Sequence, residues 1–134
     1  MLDEVIRLLK SCPLLSALSV TAELLREGTD AVSVQTVPAQ PIMQRYADGS
    51  SLRQFVFVIA LRKRPGEALC KAGESLLTDL GAWLEVCDTE TLMLKESISA
   101  QRFEVLESSA VAGNTHGSFR YEMKCRLIYY QEGA

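Results

Sequence analysis

The sequence predicts an α+β fold, in which helices pack on one face of a mainly antiparallel or mixed β-sheet of about five strands. Three patterns lead to this prediction: an amphipathic helix over residues 67–87, a strand with two apolar faces over 54–63, and an alternating strand over 119–130. A helix inserted among hairpin-connected strands is typical of this layered arrangement. The length of 134 residues matches one domain, so residues 1–134 are expected to fold as a single unit.

The first part of the chain favours two short helices. Apolar residues recur at helical spacing over residues 2–10, with charged residues on the opposite side, and Pro13 ends this helix. Ser19 is a residue type that caps helix N-termini, and Gly28 is placed to stop a helix. A second helical piece is therefore expected from Ser19 to Arg26.

Two short strands and a tight turn are expected next. Residues 31–37 carry three valines and predict a strand, and two prolines separate this strand from a second extended run over 42–46. The pair Asp48-Gly49 then predicts a hairpin turn, because glycine accepts the positive φ that tight hairpin turns require.

The strand over residues 54–63 is expected to be central in the sheet, or to be covered on its second face by a partner. Phenylalanine, isoleucine and leucine side chains line one of its faces, and Val56, Val58 and Ala60 line the other. Neither face is suited to open water.

The second half of the chain predicts the main helix and two further strands. The apolar stripe over residues 67–87 is expected to pack on the sheet, whereas residues 88–100 carry no clear pattern. A strand over 102–111, a turn over 113–117 and a final strand over 119–130 follow. The final strand alternates apolar with charged residues, so one of its faces belongs to the core and the other is charged.

Composition and charge exclude several classes of function. The net charge of −3 and the pI near 5.2 argue against a protein whose main task is to coat nucleic acid. The longest apolar run, residues 55–61, is far shorter than a membrane-spanning helix, and the acidic N-terminus does not resemble a secretory signal. We therefore expect no membrane partner and a cytoplasmic location.

The residue types that carry chemistry are sparse. Cys12, Cys70, Cys87 and Cys125 form no CxxC pair, so free buried thiols are the favoured interpretation and a disulfide is the alternative. The single histidine, His116, falls in a turn rich in glycine, asparagine and threonine, which favours an exposed loop residue over a catalytic one. No metal, cofactor or catalytic residue is predicted.

Two groups of residues are candidates for contacts with partners. The basic run Arg62-Lys63-Arg64 could contact DNA phosphates, although a solvated strand end is the favoured interpretation. The candidates for subunit contact are Val56, Val58, Arg120, Glu122, Lys124 and Arg126. The acidic pair Glu104 and Glu107 is expected on different faces of one strand, which argues against a two-carboxylate site.

Five segments of the sequence stand out in combination: CPLL at 12–15, PIMQRYADGS at 41–50, RQFVF at 53–57, LGAWLE at 80–85 and YEMKCRLIYY at 121–130. Together they resemble the small tail-completion, or tail-terminator, proteins of long-tailed phages and prophages, which are often labelled minor capsid or minor tail proteins. The resemblance covers most of the chain, and its motifs are specific only in combination. One departure is the segment 88–95, where a connection rich in proline and glycine would be expected.

The resemblance implies a structural role without catalysis. Proteins of this family form a ring, usually of about six subunits, that caps the finished tail tube and offers its other side to the head connector proteins. The implied partners are copies of the chain, the tail-tube protein and head connector proteins, in the bacterial host cytoplasm during assembly and then in the neck or tail of the virion. The alternatives are a head-connector or neck component that contacts DNA, and a small enzyme.

Overall fold

The fold is α+β, as predicted, with two helices and a six-stranded sheet. The computed structural model describes residues 1–13, 19–21, 31–63, 69–87, 89, 92, 94–115 and 118–133. The elements are α1 (Leu2–Lys10), β1 (Ser19–Thr21), β2 (Ala31–Thr36), β3 (Ile42–Arg45), β4 (Ser51–Lys63), α2 (Leu69–Val86), β5 (Ile98–Thr115) and β6 (Ser118–Gln131).

The sheet has the strand order β1-β2-β4-β6-β5, and every pair is antiparallel except the parallel pair of β1 and β2. Strand β3 also pairs with β4, beside the end that β2 leaves open. The Val37 amide donates to the Val56 carbonyl at 3.0 Å, and the Gln54 amide donates to the Pro41 carbonyl at 2.8 Å. Strands β2 and β3 therefore form one interrupted edge beside β4. The interruption contains Pro38 and Pro41, which have no amide hydrogen to donate to β4.

Strands β4 and β6 form the regular centre of the sheet. Their register is continuous from Ser51 opposite Gln131 to Lys63 opposite Phe119. The pairing of β5 with β6 is less regular, because its register shifts at three places along β5. A shift of this kind adds a residue to one strand and changes which face the following side chains occupy.

Both helices contribute to one core on one face of the sheet. Val5 and Leu9 of α1, and Leu80 and Leu84 of α2, join the inward side chains of β2, β4, β5 and β6 in a single cluster. Burying such a side chain contributes about 1.5–3 kcal/mol, so this cluster is the main source of stability. The largest fully buried side chains are those of Tyr121, Phe57 and Phe103.

Glycine at position 81 lets α2 approach the sheet closely. A Cβ atom there would lie 3.1 Å from Val105 Cγ2 and 3.3 Å from Met123 Sδ. These distances are tighter than most carbon contacts, so a side chain at this position would have to displace its neighbours.

The structure confirms several of the predicted elements. Helix α1 occupies residues 2–10 as predicted, with acids in its first turn and bases in its last turn, where they complement the helix dipole. Gly49 has a φ of +90°, as the predicted hairpin turn requires. Helix α2 begins and ends within two residues of its predicted bounds.

Two local predictions were wrong. Ser19 opens the short strand β1 and does not cap a helix, because residues 19–21 pair in parallel with β2; the remainder of the predicted helix lies outside the described residues. Residues 113–115 belong to β5 and are not part of the turn, because β6 offers them pairing partners up to Ser118. The turn is therefore shorter than predicted, and His116 lies outside the described residues.

Candidate functional site

The candidate site is the face of the sheet that is opposite the two helices, here called the outer face. Successive residues of a strand point to alternate faces, so the even-numbered residues of β4 and β6 share this face. No described helix contributes to the core cluster from this side. The outer face is therefore the part of the described sheet where a partner could lie.

The register gathers the predicted subunit-contact residues on the outer face. Val56 lies opposite Arg126, and Val58 lies opposite Lys124. Glu122 lies opposite Ala60, and Arg120 lies opposite Arg62 in the backbone register. Residues far apart in the sequence thus form one continuous surface across β4 and β6.

The predicted basic run is only partly within the described chain. Arg62 and Lys63 are the last two residues of β4, and Arg64 lies outside the described residues. Sequence reasoning missed Arg120 as a neighbour of this run. Only the pairing of β4 with β6 brings Arg62 and Arg120 together.

A polar network crosses the outer face and links three strands. Arg126 of β6 donates from Nε and Nη2 to Glu104 Oε1 of β5, at 2.8 and 2.6 Å, and from Nη1 to Gln54 Oε1 of β4, at 3.0 Å. Arg102 Nε donates to Glu104 Oε2 at 2.9 Å. The Arg126 and Arg102 guanidiniums hold the pKa of the Glu104 carboxyl below its usual range, so this carboxylate is ionised at neutral pH.

The prediction that Glu104 and Glu107 lie on different faces was wrong. Glu104 lies opposite Arg126 and Glu107 lies opposite Lys124, so both glutamates are on the outer face. The physical reason is a β-bulge between Val105 and Glu107, in which Leu106 is the extra residue.

The aliphatic side chains of β4 on the outer face are partly exposed at Leu52 and Val58. Val56 and Ala60 are only 4% and 3% exposed, whereas Val58 is half-buried. Val58 also lines a small hollow of about 120 Å³ together with Glu107, Glu122 and Lys124. An aliphatic side chain surrounded by charged ones is the usual composition of an interface centre and its rim.

The hairpin between β3 and β4 forms one end of the outer face. Tyr130 lies opposite Leu52 on this face, and its ring centroid is 6.3 Å from that of Tyr46 at an interplanar angle of 40°. Asp48 Oδ1 accepts hydrogen bonds from the amide and the hydroxyl of Ser50, and the amide distance is 2.9 Å. The two rings and Asp48 border a shallow hollow of about 440 Å³.

The thiols within the described chain are poorly suited to nucleophilic chemistry. Cys12, Cys87 and Cys125 are not joined in disulfide bonds. Burial, with a smaller effect of the Glu85 charge, raises the pKa of the Cys125 thiol to about 12, so it carries almost no thiolate at neutral pH. The side chain of Cys70 lies outside the described part of the structure.

The described residues contain neither a cluster of metal-binding side chains nor a membrane-spanning helix. No three or more His, Cys, Asp or Glu side chains in this part of the chain are grouped so that they could hold a metal ion. Neither α1 nor α2 is long and apolar enough to cross a membrane.

Sequence reasoning missed the polar network and the tyrosine pair. The network depends on the bulge at Leu106, and the pair joins Tyr46 to a residue more than eighty positions later. The alternation of β4 and β6 was the only signal in the sequence that pointed to this face. Comparison of the chain with protein-family models and with curated proteins finds no match.

Proposed function

We propose that this chain is a non-catalytic structural protein that assembles with copies of itself, as the ring that caps the tail tube at the head–tail junction of a long-tailed phage. The observation that carries the proposal is the outer face of β4 and β6, where aliphatic side chains lie beside a charged row. The phage assignment is supported by the sequence resemblance, which extends from the CPLL segment at 12–15 to the end of β6.

The composition of the outer face favours a protein partner. In a sheet with one face in water, the outward residues of a central strand are usually polar, yet β4 directs Val56, Val58 and Ala60 outward. The charged side chains that the structure describes along β5 and β6 of this face include three acids and three bases, and the presence of both signs suits contact between identical chains. These residues are Arg102, Glu104, Glu107, Glu122, Lys124 and Arg126.

The proposal is tested by the mass of the protein in solution. Sedimentation velocity over a wide concentration range, with and without phage tail-tube protein, should detect assemblies larger than a monomer. Val58→Glu should lower the association constant by about tenfold or more, because it places a charge at the apolar centre of the contact. A monomer at every concentration, alone and with tail-tube protein, would disprove the proposal.

A matched control separates the effect of the site from the effect of added charge. Ala82→Glu adds the same charge at an exposed position of α2, on the other side of the molecule from the outer face. This variant should assemble as the wild type does. If Ala82→Glu and Val58→Glu weaken assembly equally, the outer face is not the contact surface.

A second candidate function, contact with DNA in the phage neck, is favoured by one observation. Arg62 lies opposite Arg120, and Lys63 is adjacent, so three basic residues fall at one end of the sheet. The net charge of −3 limits such binding to this local patch.

The DNA alternative predicts salt-dependent retardation of duplex DNA in a gel. Neutralising Arg62, Lys63 and Arg64 together by glutamine should abolish the shift, whereas Arg45→Gln, at the other end of the sheet, should leave it unchanged. No retardation by the wild type at low salt would rule out this function.

A further inference from the structure

The hollow beside the β3–β4 turn, here called the hairpin hollow, combines aromatic rings with a carboxylate. Tyr46 is 39% exposed, and its ring centroid lies 6.3 Å from that of Tyr130 at an interplanar angle of 40°. Both residues line the hollow together with Ala47, Asp48 and Ser50. No lysine or arginine is among the residues of the described chain that line it. The hairpin hollow is therefore aromatic and acidic.

The Asp48 carboxylate is ionised at neutral pH and keeps an oxygen for a partner. The Ser50 hydroxyl and amide both donate to Asp48 Oδ1, and the amide distance is 2.9 Å. These hydrogen bonds hold the pKa of Asp48 below its usual range. Neither of them uses Oδ2. The carboxylate can therefore accept a further charge-assisted hydrogen bond at this oxygen.

The described arginines of β3 and β4 near the turn do not fall on the outer face. Arg53 lies opposite Tyr129 and Arg45 lies opposite Ser51, which places both at register positions of the helix-covered face. Arg53 Nε donates to Ser51 Oγ at 2.9 Å. The negative charge of the hairpin hollow is therefore not cancelled by these two arginines.

The backbone around the hairpin hollow is held in place. Gly133 packs so closely on the turn that a Cβ atom at this position would lie 2.6 Å from the Gly49 carbonyl carbon. The Tyr46 amide donates to the Ser50 carbonyl at 2.9 Å and closes the turn. A preformed hollow binds a partner at lower entropic cost than a mobile loop does.

The ligand chemistry that fits these groups is a guanidinium. Its plane stacks on an aromatic ring while its fork of N–H donors binds a carboxylate, so one group satisfies both features of the hollow. An ammonium is also attracted to aromatic faces, but it is a compact and strongly hydrated charge without a planar fork. We therefore expect the hairpin hollow to prefer arginine to lysine.

The guanidinium is expected on a polypeptide and not on free arginine. Sites for small molecules usually enclose most of the surface of the ligand, whereas this hollow of about 440 Å³ is shallow. Free arginine also carries an α-carboxylate, for which the described lining offers no cation. A side chain that projects from a protein surface needs only the rings and the Asp48 carboxylate.

Several arginines of this chain are already paired with its own carboxylates. Arg7 Nη2 lies 2.9 Å from Glu4 Oε1. Arg126 Nη2 and Arg102 Nε lie 2.6 and 2.9 Å from the two carboxylate oxygens of Glu104. These three arginines would have to give up a carboxylate to enter the hairpin hollow of a second copy. A different protein with an exposed arginine is therefore the favoured partner.

We propose that the hairpin hollow binds an arginine side chain of a protein other than this chain, with the guanidinium against the ring of Tyr46 and hydrogen-bonded to the Asp48 carboxylate. The site is additional to the proposed self-assembly and does not require it. Arginine is among the residues that contribute most to protein interfaces, so the turn is a docking point for a partner surface.

The test is a nuclear magnetic resonance titration of the full, isotope-labelled chain with N-acetyl-arginine amide. The backbone amides of residues 46–50 and of Tyr130 should shift as this compound saturates the hollow. N-acetyl-citrulline amide has the same length but carries a neutral urea in place of the guanidinium, so it should cause no saturable shift. Absence of a saturable shift with the arginine compound, or equal shifts with the citrulline compound, would overturn the inference.

Two variants remove the two features of the hollow separately. Tyr46→Leu keeps an apolar side chain but removes the aromatic face, and it should weaken binding about threefold or more. Asp48→Asn removes the charge while asparagine keeps an acceptor for Ser50, and it should also weaken binding about threefold or more. Circular dichroism of each variant establishes that it is folded. Folded variants that bind as the wild type does would contradict the assignment.

Two control variants should bind as the wild type does. Tyr46→Phe retains an aromatic face without the hydroxyl. Asp79→Asn removes the same charge as Asp48→Asn from an exposed position of α2, on the other side of the sheet. If Asp79→Asn weakens binding as much as Asp48→Asn does, the net charge of the chain attracts the cation and the hollow is not a site.

Three further titrations identify the kind and the source of the cation. Equal binding of N-acetyl-lysine amide would overturn the preference for a guanidinium. Tighter binding of free arginine than of N-acetyl-arginine amide would overturn its assignment to a polypeptide. Shifts of the same amides when the protein alone is concentrated would identify a second copy as the occupant, and would overturn the assignment to a different protein.

The result is independent of the proposed function. A wild-type chain that is monomeric under all conditions but binds N-acetyl-arginine amide at the hairpin hollow would disprove the self-assembly and support this site. A chain that assembles but shows no saturable shift would do the reverse.

Discussion

The two faces of β4 are built by one alternating strand but differ in what they can do. On the helix-covered face, Phe57 and Ile59 have no exposed surface, and Phe57 meets the ring of Phe103 edge-on at a centroid distance of 6.1 Å. On the outer face, Val58 is half-buried among charged side chains. A period of two residues thus gives the same strand a core face and a face that is open to partners.

The difference between the two faces separates the residues that stabilise the fold from those that are available for binding. Burial of a large side chain is worth about 1.5–3 kcal/mol, whereas an exposed ion pair contributes about 0–1 kcal/mol. The partly exposed positions of the outer face, such as Val58 and Glu104, can therefore change with little effect on folding, whereas the buried residues of either face cannot.

The largest contrast is expected in thiol reactivity. Cys125 lies on the helix-covered face, and burial raises its pKa to about 12 from the ordinary value of 9.0. At neutral pH its thiolate fraction should be about a thousandfold below that of an ordinary thiol, in addition to the protection from contact with the reagent. Labelling by iodoacetamide, followed by mass spectrometry of peptides, should show Cys125 modified only as the protein unfolds.

Cys87, which is half-buried, is the internal control and should react faster in the folded protein. Equal labelling rates for Cys87 and Cys125 in folded protein would mean that the core beneath the helices opens readily.

Phe57→Ala should lower the free energy of unfolding by about 3–5 kcal/mol, because it leaves a cavity against Phe103 beneath the helices. The matched change on the outer face, Val58→Ala, should lower the free energy of unfolding by about 1 kcal/mol or less. Urea unfolding monitored by circular dichroism measures both values. Similar losses from the two variants would contradict the assignment of stability to the helix-covered face.

Gly49→Ala should lower the free energy of unfolding by about 1–2 kcal/mol, because the φ of +90° at Gly49 is unfavourable for a residue with a Cβ atom. Gly49→Asn should cost less, since asparagine tolerates positive φ better than other residues do. Thermal unfolding of both variants measures the difference. An alanine variant as stable as the wild type would show that the turn adopts another conformation.

Glu104→Gln should have the smallest effect on stability. It should lower the free energy of unfolding by about 1 kcal/mol or less, because the network with Arg126 is partly exposed. The folded pKa of Glu104 is lowered from its ordinary value of 4.5, so its contribution is fully present above that value. The contribution is lost as the pH falls through the lowered folded pKa. Urea unfolding at neutral pH and near pH 3 should therefore show the variant and the wild type converging in acid.

Glu107→Gln, which removes an exposed carboxylate from the same strand, is the control. A difference between Glu104→Gln and the wild type that grows in acid would contradict the lowered pKa.

Much of the fold could be predicted from patterns that are local in the sequence. The amphipathic period of α1, the turn chemistry of Gly49 and the alternation of β4 each depend on neighbouring residues only. The set of outward residues that includes Val56, Val58 and Lys124 followed from the same alternation. Their gathering on one face followed only when β4 was paired with β6.

The sequence by itself therefore determined the α+β composition and the two apolar faces of β4, and the structure decided that β4 is central in the sheet. The tertiary structure alone decided three further features: the strand at Ser19, the bulge that brings Glu104 and Glu107 to one face, and the meeting of Tyr46 with Tyr130. The physical reason is that periodicity and turn propensity are local, whereas register is set by partners distant in the chain. The polar network and the tyrosine pair of the outer face both depend on that register.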